Sequence, residues 1–199
     1  YDELINFNWD EVQASIYNKK EIDVIKALEN VNPNLEDFKA LISPAAKPFL
    51  EIMAKRSKEL TLKRFGKIIQ LYIPLYLSNS CTNHCVYCGF NHNNNIERKT
   101  LSKTEVDAEI KIIKDLGYEH ILLVTGEDNK NSNSDYLNEM VKYIKPNFSL
   151  ISIEVQPLET EEYQKLAISG VNTVYVYQET YNKLKYKDYH PKGKKSDFK

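Results

Sequence analysis

Four short apolar runs recur along this chain: IIQLYIPLYL from Ile68 to Leu77, HILLVT from His120 to Thr125, LISIEVQ from Leu150 to Gln156, and TVYVY from Thr173 to Tyr177. Each has the length of a strand, and the nearly unbroken apolar character is that of strands buried in a parallel sheet. The segments between them read as helices. Ser102-Lys103-Thr104-Glu105 has the form of a capping box, Val106, Ile110 and Ile113 then mark one helical face, and Gly117 supplies the stop. A second helix is predicted from Asp135 to Lys145, after the polar loop GEDNKNSNS, and a third from Glu159 to Ile168, ended by Gly170. Strand and helix alternating through short links admit few topologies, and a parallel α/β sheet with right-handed crossovers satisfies them.

The third run carries a finer signal. Ile151, Ile153 and Val155 share one side, while Ser152, Glu154 and Gln156 share the other. A strand packed between helices on both faces should be apolar on both, so one polar face predicts a barrel lumen or cleft. The fourth run sets Tyr175, Tyr177 and Glu179 on one side, and QETYNKLKYKDYHPKGKKSDFK reads as a polar tail with no further strand. Four strand–helix units occupy about 130 residues, roughly half of the ~250 in a closed eight-fold barrel, so the sequence is expected to stop inside its fold. Residues 1–66 read instead as a charged helical extension, a cap, in which Phe49, Met53, Leu60 and Phe65 follow helical spacing and Pro48 sits where a first turn tolerates it. The expected organisation is that extension followed, over residues 67–199, by the N-terminal half of a β/α barrel.

Charge excludes several function classes. Lys plus Arg number 27 and Asp plus Glu 28, a net charge of −1, so no basic excess drives nucleic-acid binding or attraction to an anionic membrane. The longest apolar runs fall far short of a bilayer span. The acidic opening YDELINFNWDE lacks a hydrophobic signal region, which predicts a cytoplasmic, reducing location.

In that compartment the cysteines indicate metal, not a disulfide framework. All three, Cys81, Cys85 and Cys88, fall in CTNHCVYCGF as C-x3-C-x2-C, at the C-terminal end of the first strand, the face where α/β barrels carry their chemistry. Three thiolates can hold three irons of a [4Fe–4S] cluster and leave the fourth open to a substrate or cofactor. His84 or His92 could instead complete a structural Cys3His zinc site. Three unliganded buried cysteines are a third reading. The position after a barrel-type strand, not in a zinc-ribbon hairpin, favours the cluster. Tyr87, just before the last cysteine, brings an aromatic wall to it. Arg98 and Lys99 read as a surface pair with some potential to serve an anion, and the run His92-Asn93-Asn94-Asn95 as a solvated loop.

The pattern C-x3-C-x-aromatic-C after the first barrel strand resembles the radical S-adenosylmethionine (radical SAM) enzymes. PLYLSNSCTNHCVYCGF, ERKTLS, LLVTGED, IEVQPL and VYVYQETY, in this order, resemble the 2-iminoacetate synthase family of radical SAM tyrosine lyases in thiamine thiazole biosynthesis. The resemblance implies that the three cysteines bind the cluster, that SAM takes the open iron, and that a 5′-deoxyadenosyl radical starts cleavage of the Cα–Cβ bond of L-tyrosine to 2-iminoacetate and p-cresol. It places Thr125, Gly126 and Glu127 at a backbone edge for the SAM amino group, with Thr where the family has Gly. It sets Glu154 and Gln156 in the lumen, and Tyr177, Gln178, Glu179 and Thr180 near SAM, the first and third pointing inward by alternation. Lys192-Gly193-Lys194-Lys195 resembles a loop over the site. Implied partners are thiazole synthase and a flavodoxin or ferredoxin as reductant. The tyrosine lyases of [FeFe]-hydrogenase maturation share the cysteine motif and QETY, and a non-catalytic zinc-binding module is the alternative of another class.

Overall fold

The computed structural model describes residues 6–198, in two compact units, Tyr1–Ile69 and Gln70–Lys199. The first is helical: α1 (Trp9–Tyr17), α2 (Glu21–Glu29), α3 (Leu35–Leu41) and α4 (Leu50–Phe65). Asn8 and Asn34 cap α1 and α3 through their side-chain carbonyls. The small core of this unit is Val24, Ala27, Ala40 and Ala46, with Phe49 and Met53 packed on it. Leu60 and Phe65, expected on the same face, are exposed. Pro48 sits in a 3-10 turn, Pro44–Phe49, ahead of α4 and not in its first turn.

The second unit alternates strand and helix: β1 (Ile73–Ser78), α5 (Lys103–Asp115), β2 (His120–Thr125), α6 (Ser134–Ile144), β3 (Leu150–Glu154), α7 (Thr160–Ser169), β4 (Val171–Tyr175) and α8 (Lys183–Tyr189). The strands form one sheet in the order β1-β2-β3-β4, each neighbouring pair parallel. The order never reverses, as in a barrel wall, whereas a doubly wound sheet reverses at a switch point.

Pairing divides the side chains into two sheets of contacts. Leu75, Leu123, Ile153 and Val174 stand in register across the strands, and the first three are buried with Val106, Ile110 and Ile113 of α5, Leu137, Val141 and Ile144 of α6, and Leu166 of α7. The alternate row, Tyr76, Val124, Glu154 and Tyr175, is likewise in register and lines an open cleft. One face thus packs on helices while the other walls a lumen, as the alternation of the third run requires.

Three boundaries differ from those read in the sequence. The first strand begins at Ile73, five residues after Ile68, and Ile68 and Ile69 are over four-fifths exposed at the junction of the two units. Pro74 is tolerated within β1 because this is an edge strand of the sheet. The fourth strand begins at Val171, because Gly170 ends α7 in the left-handed conformation (φ 118°) and turns the chain directly into the sheet, and it releases Tyr177 into the following loop. The polar tail contains no strand but does contain α8, capped by Asn182. No helix among the described residues is long and apolar enough to cross a membrane.

Candidate cofactor site at the cysteine loop

At the end of β1 the register slips between Tyr76 and Ser78, a bulge that aims the chain out of the sheet and into the cysteine loop. Cys81, Cys85 and Cys88 are free thiols, Cys85 buried and the others partly so, and all three line a cleft of about 1640 Å³ above the C-terminal ends of the strands. Burial pushes the Cys85 thiol up, against the Lys195 ammonium and the Tyr87 hydroxyl, both of which favour its thiolate.

A loop without sheet partners must satisfy its carbonyls by other means, and here asparagine and arginine do so. Asn91 Nδ2 donates to the Cys85 carbonyl at 2.8 Å, Asn94 Nδ2 to the carbonyls of Cys88 (3.3 Å) and Gly89 (3.0 Å), and the His92 amide to the Asn83 carbonyl at 2.8 Å. His92-Asn93-Asn94-Asn95, read from the sequence as a solvated loop, is exposed, and His92 and Asn94 within it also brace the cysteine loop together with Asn91. Arg98 corrects an expectation. Its guanidinium is partly buried and donates to four carbonyls, of Asn79 (2.9 Å), Phe90 (2.8 Å), Asn91 (2.7 Å) and Asn94 (3.2 Å), so it is a loop brace and not half of a surface pair. Lys99 does lie exposed, paired with Glu105 at 2.7 Å.

The turn after β2 packs directly on this loop. The Gly126 amide donates to the Ser78 carbonyl at 2.9 Å, and its carbonyl accepts from the Ser132 hydroxyl at 3.0 Å. A Cβ at Gly126 would lie 2.3 Å from the Ser80 carbonyl oxygen, so only glycine fits. The Glu127 carbonyl accepts from the Thr82 amide at 2.9 Å. Thr125 donates its hydroxyl to Gln156 Oε1 (3.3 Å), and Gln156 Nε2 donates to the Ser132 carbonyl (3.1 Å). Thr125 is therefore a tie to a buried glutamine. Gln156 lies beyond the end of β3 and holds the two loops together, so both ends of its amide are already engaged.

Asn83, which the sequence did not single out, joins three segments. It is buried, its Nδ2 donates to Glu127 Oε2 at 2.6 Å, and its Oδ1 accepts from the Lys195 amide at 2.9 Å. Gly193 (φ 101°) approaches so closely that a Cβ would meet Asn83 Oδ1 at 2.3 Å. The amides of His84 and Val86 donate to the carbonyls of Lys192 and Tyr189, both at 3.0 Å. The segment after α8 is thereby fastened across the cysteine loop, and Gly193, Lys194 and Lys195 line the cleft.

Tyr87, Glu127, Glu154, Tyr177, Gln178 and Glu179 also line the cleft, whereas Thr180 does not. Glu179 adopts φ 61°, uncommon for a residue with a side chain, and its carboxylate pairs with Lys195 at 2.7 Å. Gln178 donates to the Phe198 carbonyl at 3.2 Å. Burial holds the Tyr87 phenol well above its usual range, with Glu179 and Cys85 adding to the effect. The Tyr186 phenol, buried beneath the strap, is pushed up to about 12 for the same reason.

The donor set fits an iron–sulfur cluster: three soft thiols, unpaired with one another, stand on one wall of a cleft with room for a further ligand. Thiolates on three different irons need not converge on one point. Among the described residues no three His, Cys, Asp or Glu side chains gather about a single ion position. The His84 and His92 rings meet at a tilt of 52° with centres 5.1 Å apart, and His92 Nδ1 lies 3.3 Å from the Cys81 carbonyl.

A barrel-type sheet with a three-thiolate loop at the C-terminal end of its first strand defines a class, and the sequence agrees: the profile of the Radical SAM superfamily matches residues 75–199, and the chain belongs to that superfamily. Within it, the chain is 44% identical over 197 residues to the 2-iminoacetate synthase of Salmonella typhimurium and 43% identical to that of Escherichia coli, each match covering 99% of this chain and 52% of the relative. It spans about half the length of these relatives. The crystal structure of HydG, a maturase of the [FeFe]-hydrogenase, superposes with a TM-score of 0.90 at 27% identity, covering 98% of this chain and 46% of that one.

Proposed function

We propose that this chain is part of a radical SAM lyase that cleaves the Cα–Cβ bond of L-tyrosine to 2-iminoacetate and p-cresol. The observation that carries the reading is the three-cysteine wall of the cleft in a chain 44% identical to a 2-iminoacetate synthase along nearly all its length. Cys81, Cys85 and Cys88 would hold three irons of a [4Fe–4S] cluster, and SAM would take the remaining position. When bound, these groups supply the 5′-deoxyadenosyl radical that removes a hydrogen from tyrosine. The protein's own residues position and seal. The Gly126 carbonyl accepts one internal hydrogen bond, from the Ser132 hydroxyl, and keeps a second lone pair for an incoming ammonium, whereas the Glu127 carbonyl already accepts from both the amide and the hydroxyl of Thr82. Tyr87 forms an aromatic wall, and Glu154 and Tyr177 offer polar groups to a ligand in the lumen. Lys195, held by Glu179 and packed over the loop, places a positive charge beside the thiolates.

A cytoplasmic setting, thiazole synthase as the acceptor of the unstable imine, and flavodoxin or ferredoxin as reductant complete the proposal. The second reading, a tyrosine lyase of [FeFe]-hydrogenase maturation, is favoured by the TM-score of 0.90 to HydG, but the sequence identity, 27% against 44%, supports the first. The test is product analysis. Full-length protein, reconstituted anaerobically and supplied with SAM, reductant and L-tyrosine, is expected to yield p-cresol and 2-iminoacetate, the latter trapped as glyoxylate. Formation of carbon monoxide or cyanide would favour the second reading, and unchanged tyrosine would refute both.

A further inference from the structure

His190 is wholly enclosed in the strap that crosses the cysteine loop. Its Nδ1 lies 2.9 Å from the Tyr186 carbonyl, which can only accept, so Nδ1 carries the proton. Nε2 then presents a lone pair, and the Tyr87 hydroxyl stands 2.7 Å from it, nearer than the Glu179 carboxylate at 3.6 Å. The imidazole is held from a second side by the Tyr186 ring, with centres 4.1 Å apart, and meets the Tyr87 ring edge-on at 5.5 Å. Tyr87 itself lies between Cys85 and Cys88 with half its surface open to the cleft. A tyrosine so exposed has little packing to fix its rotamer, so the groups its hydroxyl meets must hold it: His190 Nε2 at 2.7 Å, with the Glu179 carboxylate and the Cys85 thiol also in reach. Burial lowers the basicity of His190, which keeps the ring neutral and the acceptor available.

We propose that His190 is a positioning residue: by accepting the Tyr87 hydroxyl hydrogen bond from the strap, it sets the aromatic wall against which SAM binds. The inference rests on the cofactor reading above and adds to it a residue over 100 positions away in sequence from the cysteine loop.

Two substitutions separate this role from packing. Gln at this position can present a carbonyl oxygen near the place of Nε2. Asn can reproduce only the Nδ1 donor to Tyr186. In full-length protein loaded with its cluster, SAM affinity is read from the change in the electron paramagnetic resonance spectrum as SAM is titrated in. His190→Asn and Tyr87→Phe are each expected to weaken SAM binding roughly tenfold, the scale of one lost hydrogen bond, with His190→Gln within about threefold of wild type. The double variant Tyr87→Phe/His190→Asn should be no weaker than either single one, because both remove the same bond. Equal losses in His190→Gln and His190→Asn, or additive losses in the double variant, would overturn the inference while leaving the cofactor reading standing. A wild-type protein indifferent to SAM would overturn both. A readout free of any cofactor is nitrogen-15 NMR of the histidines in unloaded protein, where His190 should show the Nδ1-protonated tautomer. An Nε2-protonated ring would refute the hydrogen bond even if every substituted protein failed to fold.

Discussion

Cys81→Ala, Cys85→Ala and Cys88→Ala are each expected to abolish stable cluster binding in the full-length protein, with iron content falling to background and the brown absorption lost. Each thiolate would anchor a different iron, so no remaining donor substitutes for a missing one. The fold should survive the change. None of the three belongs to the core cluster beneath the sheet, and the loop is braced independently by Arg98, Asn91 and Asn94. Far-ultraviolet circular dichroism is therefore expected to remain near wild type while iron disappears. His84→Ala and His92→Ala should retain their iron. If a histidine variant lost metal as completely as a cysteine variant, the site would be one of mixed sulfur and nitrogen ligation, and the zinc alternative would return.

Gly126→Ala is expected to destabilise the protein markedly, through a backbone clash beside the site. The added carbon would lie 2.3 Å from the Ser80 carbonyl oxygen and 2.9 Å from Cys81 Cβ. The nearest obstacle is backbone, not a flexible side-chain end, so the cysteine loop itself must move. Overpacking of this kind costs about 1–3 kcal/mol. Two hydrogen bonds that fix Gly126, to Ser78 and from Ser132, would be strained by the same movement. Urea unfolding should report a lowered midpoint, and reconstitution should load less iron. Gly89→Ala is the control, since nothing lies within 4 Å of a Cβ built there, and its midpoint should stay near wild type. Equal effects at the two positions would show that the tight approach of β2's turn to the cysteine loop has been misplaced.

The parts of the molecule legible in the sequence are those set by short-range pattern. Alternation in LISIEVQ marked which face of β3 would meet helices and which would wall a cleft, because successive side chains on a regular strand point to opposite faces. The capping box at Ser102 forms as read, with the Glu105 carboxylate accepting from the Ser102 amide at 2.9 Å. Cysteine spacing after the first strand marked a loop whose three thiols line the cleft. What stayed hidden depends on long-range approach. Asn83 resembles any polar loop residue until Glu127 and Lys195, 44 and 112 positions away, are brought to its amide. Gly193 looks like a flexible residue in a lysine run, yet it is required by its contact with Asn83. Arg98 was read as a surface charge because its four acceptors are carbonyls, which leave no mark on composition. The extended first strand was overread because Ile68 and Ile69 carry the apolar character of a strand without a neighbour to pair with.

On the proposed reading, three cysteines present a metal cluster with one position open to SAM. Electron paramagnetic resonance of the anaerobically reconstituted, reduced full-length protein tests it most directly, with and without SAM. A [4Fe–4S]⁺ signal whose shape changes when SAM is added is the expected result. A protein that binds zinc in place of iron, or a cluster signal unmoved by saturating SAM, would contradict it.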